Sequence, residues 1–200
     1  KTKFYGLNHF KGLWCGVDVG DFDSNGSVDF VVTNRGLNSS YRASIENPMV
    51  VYHGDINEDG VWDFIETEYG KDNKLYPRRS ASVFAEAMPW ITDRFSSYNH
   101  YSNMNVTELF GSSLIEKMNK LEVTTLESMV FLQKENRFIP RPLPFEAQFS
   151  SAYSPVVADF NNDGLLDMAI SQNQFNLSRE QSRDDAGLGL ILIGAGDGRF

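Results

Sequence analysis

A single cysteine, Cys15, stands in 200 residues. No disulfide framework and no cysteine-rich zinc site can therefore hold this chain together, and Cys15 is expected to be a small buried hydrophobe. Histidine is nearly as scarce. His9, His53 and His100 lie in segments of different character, outside any HExxH, GxSxG or phosphate-loop pattern, which leaves no histidine-based catalytic motif. No apolar run approaches the ~20 residues that a membrane-spanning helix requires. Basic residues are outnumbered, 18 Lys and Arg against 27 Asp and Glu. With a pI of ≈ 4.8 and no basic stripe, the chain is a poor partner for nucleic acid. A content of 41% hydrophobic and 13% aromatic residues nevertheless suffices for a core. The chain opens on Lys1 with neither an initiator Met nor a signal-peptide pattern, and so reads as a processed or excised product.

Against this background one acidic pattern occurs three times. Asp21, Asp23, Asn25, Ser27 and Asp29 form the first copy; Asp55, Asn57, Asp59, Val61 and Asp63 the second; Asp159, Asn161, Asp163, Leu165 and Asp167 the third. Positions 1, 3, 5 and 9 carry oxygen side chains. Position 6 is Gly26, Gly60 or Gly164, able to take the positive φ that folds those oxygens around one point, and the carbonyl of position 7 adds a further ligand. An all-oxygen donor set of this size fits calcium, whereas zinc calls for His or Cys, and neither occurs inside the loops. An isolated Asp-Asn-Gly loop would pass for an ordinary turn. Three copies with the same ligand positions argue against that reading. The EF-hand is the other alternative, since Glu66 stands at position 12 of the second copy. It fails because the matching residues are Val32 and Ile170 and because the flanks read as strands: 29–33, 49–53 and 166–170.

The charge balance points the same way. Setting aside the nine loop Asp leaves 18 of the 27 acidic residues, matching the 18 Lys and Arg, so the formal charge of -9 resides in the loops. Like charges held about 4 Å apart repel by roughly 1 kcal/mol per pair even in water, so a bound cation would stabilise the fold as well as occupy it.

The repeats also organise the chain. Residues 129–138 align with 190–200, each an apolar strand, a polar turn and an Arg-Phe pair. Between the second and third loops, residues 80–126 lose the strand alternation and read as a helical insertion. The implied unit is strand, loop, strand, connection, strand, hairpin, strand, a four-stranded blade. The expected fold is thus mainly β, a partial β-propeller with calcium loops. Its blades would span about 12–46, about 48–79 continued at 128–144, and about 149–200. Three blades do not close a ring, which implies a partner or a missing portion of chain.

In these loops, and in segments such as 16–23, 34–38, 41–44, 95–98, 147–150 and 183–187, the sequence resembles the FG-GAP/VCBS repeat family. Its calcium-loop blades also build the heads of integrin α-chains, and the likeness is nearest to bacterial exported VCBS-repeat proteins. The resemblance implies a seven-bladed propeller, export to the periplasm, cell surface or extracellular space, and binding rather than catalysis. The function expected from this reading is a non-catalytic calcium-binding propeller module for a protein or glycan ligand at the cell envelope. The alternative is a carbohydrate-active hydrolase or lyase. Glu66 and Glu68, two apart on a strand, would supply its carboxylates, although a solvated face explains them better. Most aromatics are expected in the core. The stretches 34–41, 69–77 and 172–185 are the expected recognition loops.

Overall fold

Short strands bracket each acidic loop, because Asp and Gly interrupt the apolar alternation and β-branched runs restart it on either side. The computed structural model describes residues 5–200. It places β1 (Gly16–Gly20) and β2 (Asp29–Thr33) around the first loop, and β3 (Met49–Gly54) and β4 (Asp63–Tyr69) around the second. A short β5 (Leu75–Pro77) follows. Then come α1 (Ala81–Ala87), a 3-10 turn (Pro89–Arg94), α2 (Tyr98–Tyr101), α3 (Val106–Phe110) and α4 (Ser112–Ile115). The chain continues with β6 (Asn119–Val123), β7 (Met129–Lys134) and β8 (Arg137–Pro142). A second 3-10 turn (Phe145–Gln148) leads to β9 (Ala152–Ala158) and β10 (Asp167–Gln172), which bracket the third loop, and β11 (Leu190–Leu192) is last.

Among the described residues every strand pairing is antiparallel, and three open sheets result, ordered β1-β2-β7-β8, β5-β4-β3-β6 and β11-β10-β9. This overturns the expected mainly-β propeller. Helix makes up 15% and strand 31% of the chain, a mixed α/β composition, and the small sheets keep free edges instead of closing. The hairpin β7-β8, expected to continue the strands of the second loop, instead joins those of the first, with Phe30 opposite Phe131 and Val32 opposite Met129. The reason lies in the segment 80–126, which is not wholly helical. Its last strand, β6, occupies the edge of β3 from Met49↔Val123 to His53↔Asn119. That leaves β7 to pair with β2, where the Phe30 and Phe131 rings stack at 4.8 Å.

Two compact units follow, Lys1–Tyr41 with Thr125–Phe200, and Arg42–Thr124. In the first, the β1-β2-β7-β8 sheet packs on the β11-β10-β9 sheet through Phe22, Val31, Val130, Leu132, Met168, Ile170 and Leu192. The backbones come very close where β1 meets β9. A Cβ on Gly16 would lie 1.9 Å from the Tyr153 carbonyl oxygen, and Thr33 Oγ1 donates to that same oxygen at 2.5 Å. Gly16→Ala is accordingly expected to destabilise this unit by about 1–3 kcal/mol or more in urea unfolding. A change below about 0.5 kcal/mol, the range of neutral surface substitutions, would show that the strands do not approach this closely.

The second unit buries Ile65, Phe84, Met88, Ile91, Leu109 and Phe110 between its sheet and its short helices. α3 starts at a capping box: Asn105 Oδ1 accepts from the Thr107 and Glu108 N–H, and Glu108 accepts from the Asn105 N–H. Cys15, expected to be buried, is exposed, its thiol 3.3 Å from the Leu13 carbonyl. No helix among the described residues is long and apolar enough to cross a membrane.

Candidate metal centre

All three acidic loops fold alike, and the cause is local. The position-1 carboxylate accepts from two backbone N–H groups further along the loop: Asp21 from Asn25 (3.0 Å) and Gly26 (2.8 Å), Asp55 from Asp59 (3.0 Å) and Gly60 (2.9 Å), Asp159 from Asp163 (3.2 Å) and Gly164 (2.9 Å). Position 5 then accepts from the N–H of position 7, at 2.7 Å in the first loop and 2.8 Å in the other two. The glycines at position 6 sit at φ 82, 85 and 86, the left-handed region the sequence predicted for them. Position 4 is left-handed as well, with φ near +60 at Ser24, Glu58 and Asn162. Sequence reasoning missed this second turn residue, because Ser24 and Glu58 carry no signal for it and only Asn162 is of a type that favours the left-handed region.

Position 9 plays a part that no loop pattern announces. One oxygen of Asp29, Asp63 and Asp167 accepts the N–H of position 2, from Phe22 (2.9 Å), Ile56 (3.0 Å) and Phe160 (3.0 Å), which closes each loop on itself. The other oxygen of Asp29 accepts from Gln133 at 2.6 Å, the penultimate residue of β7, and that of Asp167 accepts from Gly194 at 2.8 Å, just past β11. Both carboxylates are fully buried, so each ties a loop to a strand far away in sequence. Burial pushes the Asp29 carboxyl above the ordinary range, the two backbone donors oppose that, and the neighbouring Asp23 and Asp21 charges add to the rise.

Asp21, Asp23 and Asp29 place one carboxylate oxygen each within 4.8 Å of one another, and this cluster can coordinate a divalent metal ion. Within it, the Asp23 side chain is 6% exposed. Its Oδ2 lies 3.4 Å from Lys134 Nζ, while its Oδ1 is buried without a hydrogen-bond partner. A buried carboxylate oxygen left unpartnered is costly unless a cation satisfies it, so the residues fit a metal. The other two loops arrange their donors differently. There position 3 is Asn, and its amide donates to the position-5 carboxylate, Asn57 to Asp59 and Asn161 to Asp163, both at 2.9 Å.

The other candidate groups have structural partners. Glu66 pairs with Arg79 (3.0 Å) and Glu68 with Arg78, so the two carboxylates do not form a glycosidase pair. His53 stacks on Trp62 at 5.2 Å, and His100 Nδ1 accepts from the Ser96 N–H. Asn34, in an expected recognition loop, is wholly buried and donates to the Thr125 and Glu127 carbonyls. The stretch 172–185 is fastened to it: Asp184 accepts from Ser151 N and Oγ and pairs with Arg35 at 3.5 Å, and Gln181 reaches the Tyr41 hydroxyl. Trp62, expected among the core aromatics, is exposed.

The chain matches no protein-family model, no curated protein and no solved structure. With the open sheets, this withdraws the FG-GAP/VCBS and integrin-like reading. The exported propeller module and its carbohydrate-active alternative fall with it, since no propeller scaffold is present to carry either one, and a bacterial extracellular origin is without support. What survives is the acidic cluster and its capacity for a divalent ion.

Proposed function

We propose that the three acidic loops bind calcium, and that the ion orders the strands on either side of each loop. The buried, unpartnered Asp23 Oδ1 beside Asp21 and Asp29 carries this reading for the first loop, and the second and third are included because they share its backbone turn and donor positions. Calcium suits the donor set better than other divalent ions. Carboxylates, amide oxygens and a backbone carbonyl give it the six to eight oxygens it takes in flexible geometry, whereas magnesium demands near-ideal octahedral coordination and keeps its waters. Asp21, Asp23, Asn25, the Ser27 carbonyl and Asp29 would hold the ion in the first loop. The corresponding sets are Asp55, Asn57, Asp59, Val61 and Asp63, and Asp159, Asn161, Asp163, Leu165 and Asp167. Loops of this kind with Kd values of about 10⁻⁴–10⁻³ M stay loaded in an exported setting, where calcium is millimolar.

Terbium tests the reading directly, because it replaces calcium at oxygen sites and emits when excited through a nearby indole. Trp62 lies inside the second loop and is 58% exposed. Saturable, Trp-excited terbium emission is expected, displaced by calcium but not by equal magnesium, and lost in Trp62→Phe and Asp55→Ala. Calorimetry of the chelated protein should in parallel lose one calcium site on Asp23→Ala. Absence of both saturable emission and calcium heat at millimolar ion would refute the assignment.

A further inference from the structure

Each acidic loop carries three aspartates, yet the loops satisfy them differently. In the second and third, the position-5 carboxylate is met from inside the loop, by the neutral amide of Asn57 or Asn161 at 2.9 Å. The first loop reverses the two residue types, with Asp23 at position 3 and Asn25 at position 5. Asn25 instead donates its amide to the Gln133 carbonyl at 3.1 Å. Asp23 is left to a cation from another part of the chain, Lys134, whose Nζ lies 3.4 Å from its Oδ2.

The same strand pairing that engages Asp29 delivers that lysine. Gln133 donates its N–H to Asp29 and accepts from Asn25, so the end of β7 is tied to the loop at two points, and the next residue reaches Asp23. In the third loop Gly194 takes the place of Gln133 on the position-9 Asp, so Ala195 stands where Lys134 does. Among the described residues, no Lys or Arg pairs with an aspartate of the second or third loop. Asp23 is thus divided: Oδ2 is held by an ammonium, while Oδ1 is buried with no hydrogen-bond partner.

We propose that Lys134 is a built-in competitor of calcium at the first loop, and that its pairing with Asp23 holds the affinity of that site down. The role rests on the calcium reading of the loop. An ion bound among Asp21, Asp23 and Asp29 comes within a few ångströms of the ammonium, and the two like charges repel. Lys134 is 58% exposed on a flexible stem, so it gives up its ion pair as the ion enters. The lost pair sets the smaller bound on the effect and the full repulsion of a divalent ion the larger, together about 3–30-fold in Kd. The second and third loops carry no such handicap.

Calorimetric titration with calcium chloride tests it in a chain carrying Asp55→Ala and Asp159→Ala, which leaves the first loop as the remaining site. Adding Lys134→Met should tighten binding by about 3–30-fold, whereas Lys134→Arg, which keeps the charge, should leave the site weak. Should that background fail to fold, amine acylation of the unsubstituted full chain is read by mass spectrometry instead. Saturating calcium should speed acylation of Lys134 as it leaves Asp23, but not that of Lys74, which is equally exposed at 57% and pairs with Asp72 outside the loops. Equal calcium affinity with and without Lys134, or calcium binding that leaves the Lys134 acylation rate unchanged, would overturn the competitor role and leave the calcium reading standing. A folded first-loop protein that takes up no calcium, with or without Lys134, brings down the calcium reading of that loop and this role with it.

Discussion

Asp29→Ala is expected to destabilise its unit by about 2–4 kcal/mol, since it strands one buried and one part-buried backbone N–H group, the buried one at about 1–3 kcal/mol. Those donors are Phe22, which closes the loop, and Gln133, which belongs to β7. The loss should persist in chelator, because the two hydrogen bonds need no metal. Asp167→Ala should behave alike through Phe160 and Gly194. Asp63 is only half-buried and its loop bond is to Ile56, so Asp63→Ala should lose less. Urea unfolding of the three variants in chelator gives the ranking. If Asp29→Ala stays within about 1 kcal/mol of wild type, the carboxylate does not bear the two bonds ascribed to it.

The second large effect is expected at Phe110, which is 1% exposed and meets Phe84 edge-on at 5.3 Å and Trp90 at 6.4 Å. Truncating a buried Phe to Ala costs about 3–5 kcal/mol through lost transfer energy and the cavity left behind. The helices around it have four to seven residues. Isolated helices shorter than about 12–15 residues are marginal in water, so these persist only through the cluster they share. Phe110→Ala should therefore melt the segment as a whole, seen as loss of far-ultraviolet helical signal together with a change in Trp90 fluorescence in a background lacking Trp14 and Trp62. Retention of the helical signal with a loss below about 1 kcal/mol would contradict the shared-cluster account.

Much of the local structure was legible. The runs before and after the loops are strands, as at Asp29–Thr33 and Met49–Gly54, because apolar alternation and β-branching are local properties. The hairpin turn at Glu135 and Asn136 was equally readable from its polar pair between apolar runs. The partner of that hairpin was not, because β2 pairs with it across the whole Arg42–Thr124 segment, and nothing in either strand's own sequence specifies so distant a neighbour. The capping box at Asn105 and Glu108 was a readable signal that went unused. At the loops the ligand types were legible, but not the second task of Asp29 and Asp167, whose donors Gln133 and Gly194 are set by the same long-range pairing. The propeller expectation failed at this level too, since repeated loops fix local geometry and leave the assembly of sheets undetermined.

The insertion of one unit between β2 and β7 predicts an order of events during synthesis. Val32 must find Met129 across nearly a hundred intervening residues, and closing so long a flexible loop is slow. β3 and β6 shorten the search once paired, because Met49 and Val123 bring the two ends of the inserted segment side by side. Asn34 can then grip the Thr125 and Glu127 carbonyls, and β7 arrives next to β2 already positioned. The inserted unit is thus expected to fold first and act as a splint, and a nascent chain in which it is slow to fold would hold β2 with an open edge, ready to pair with the wrong strand.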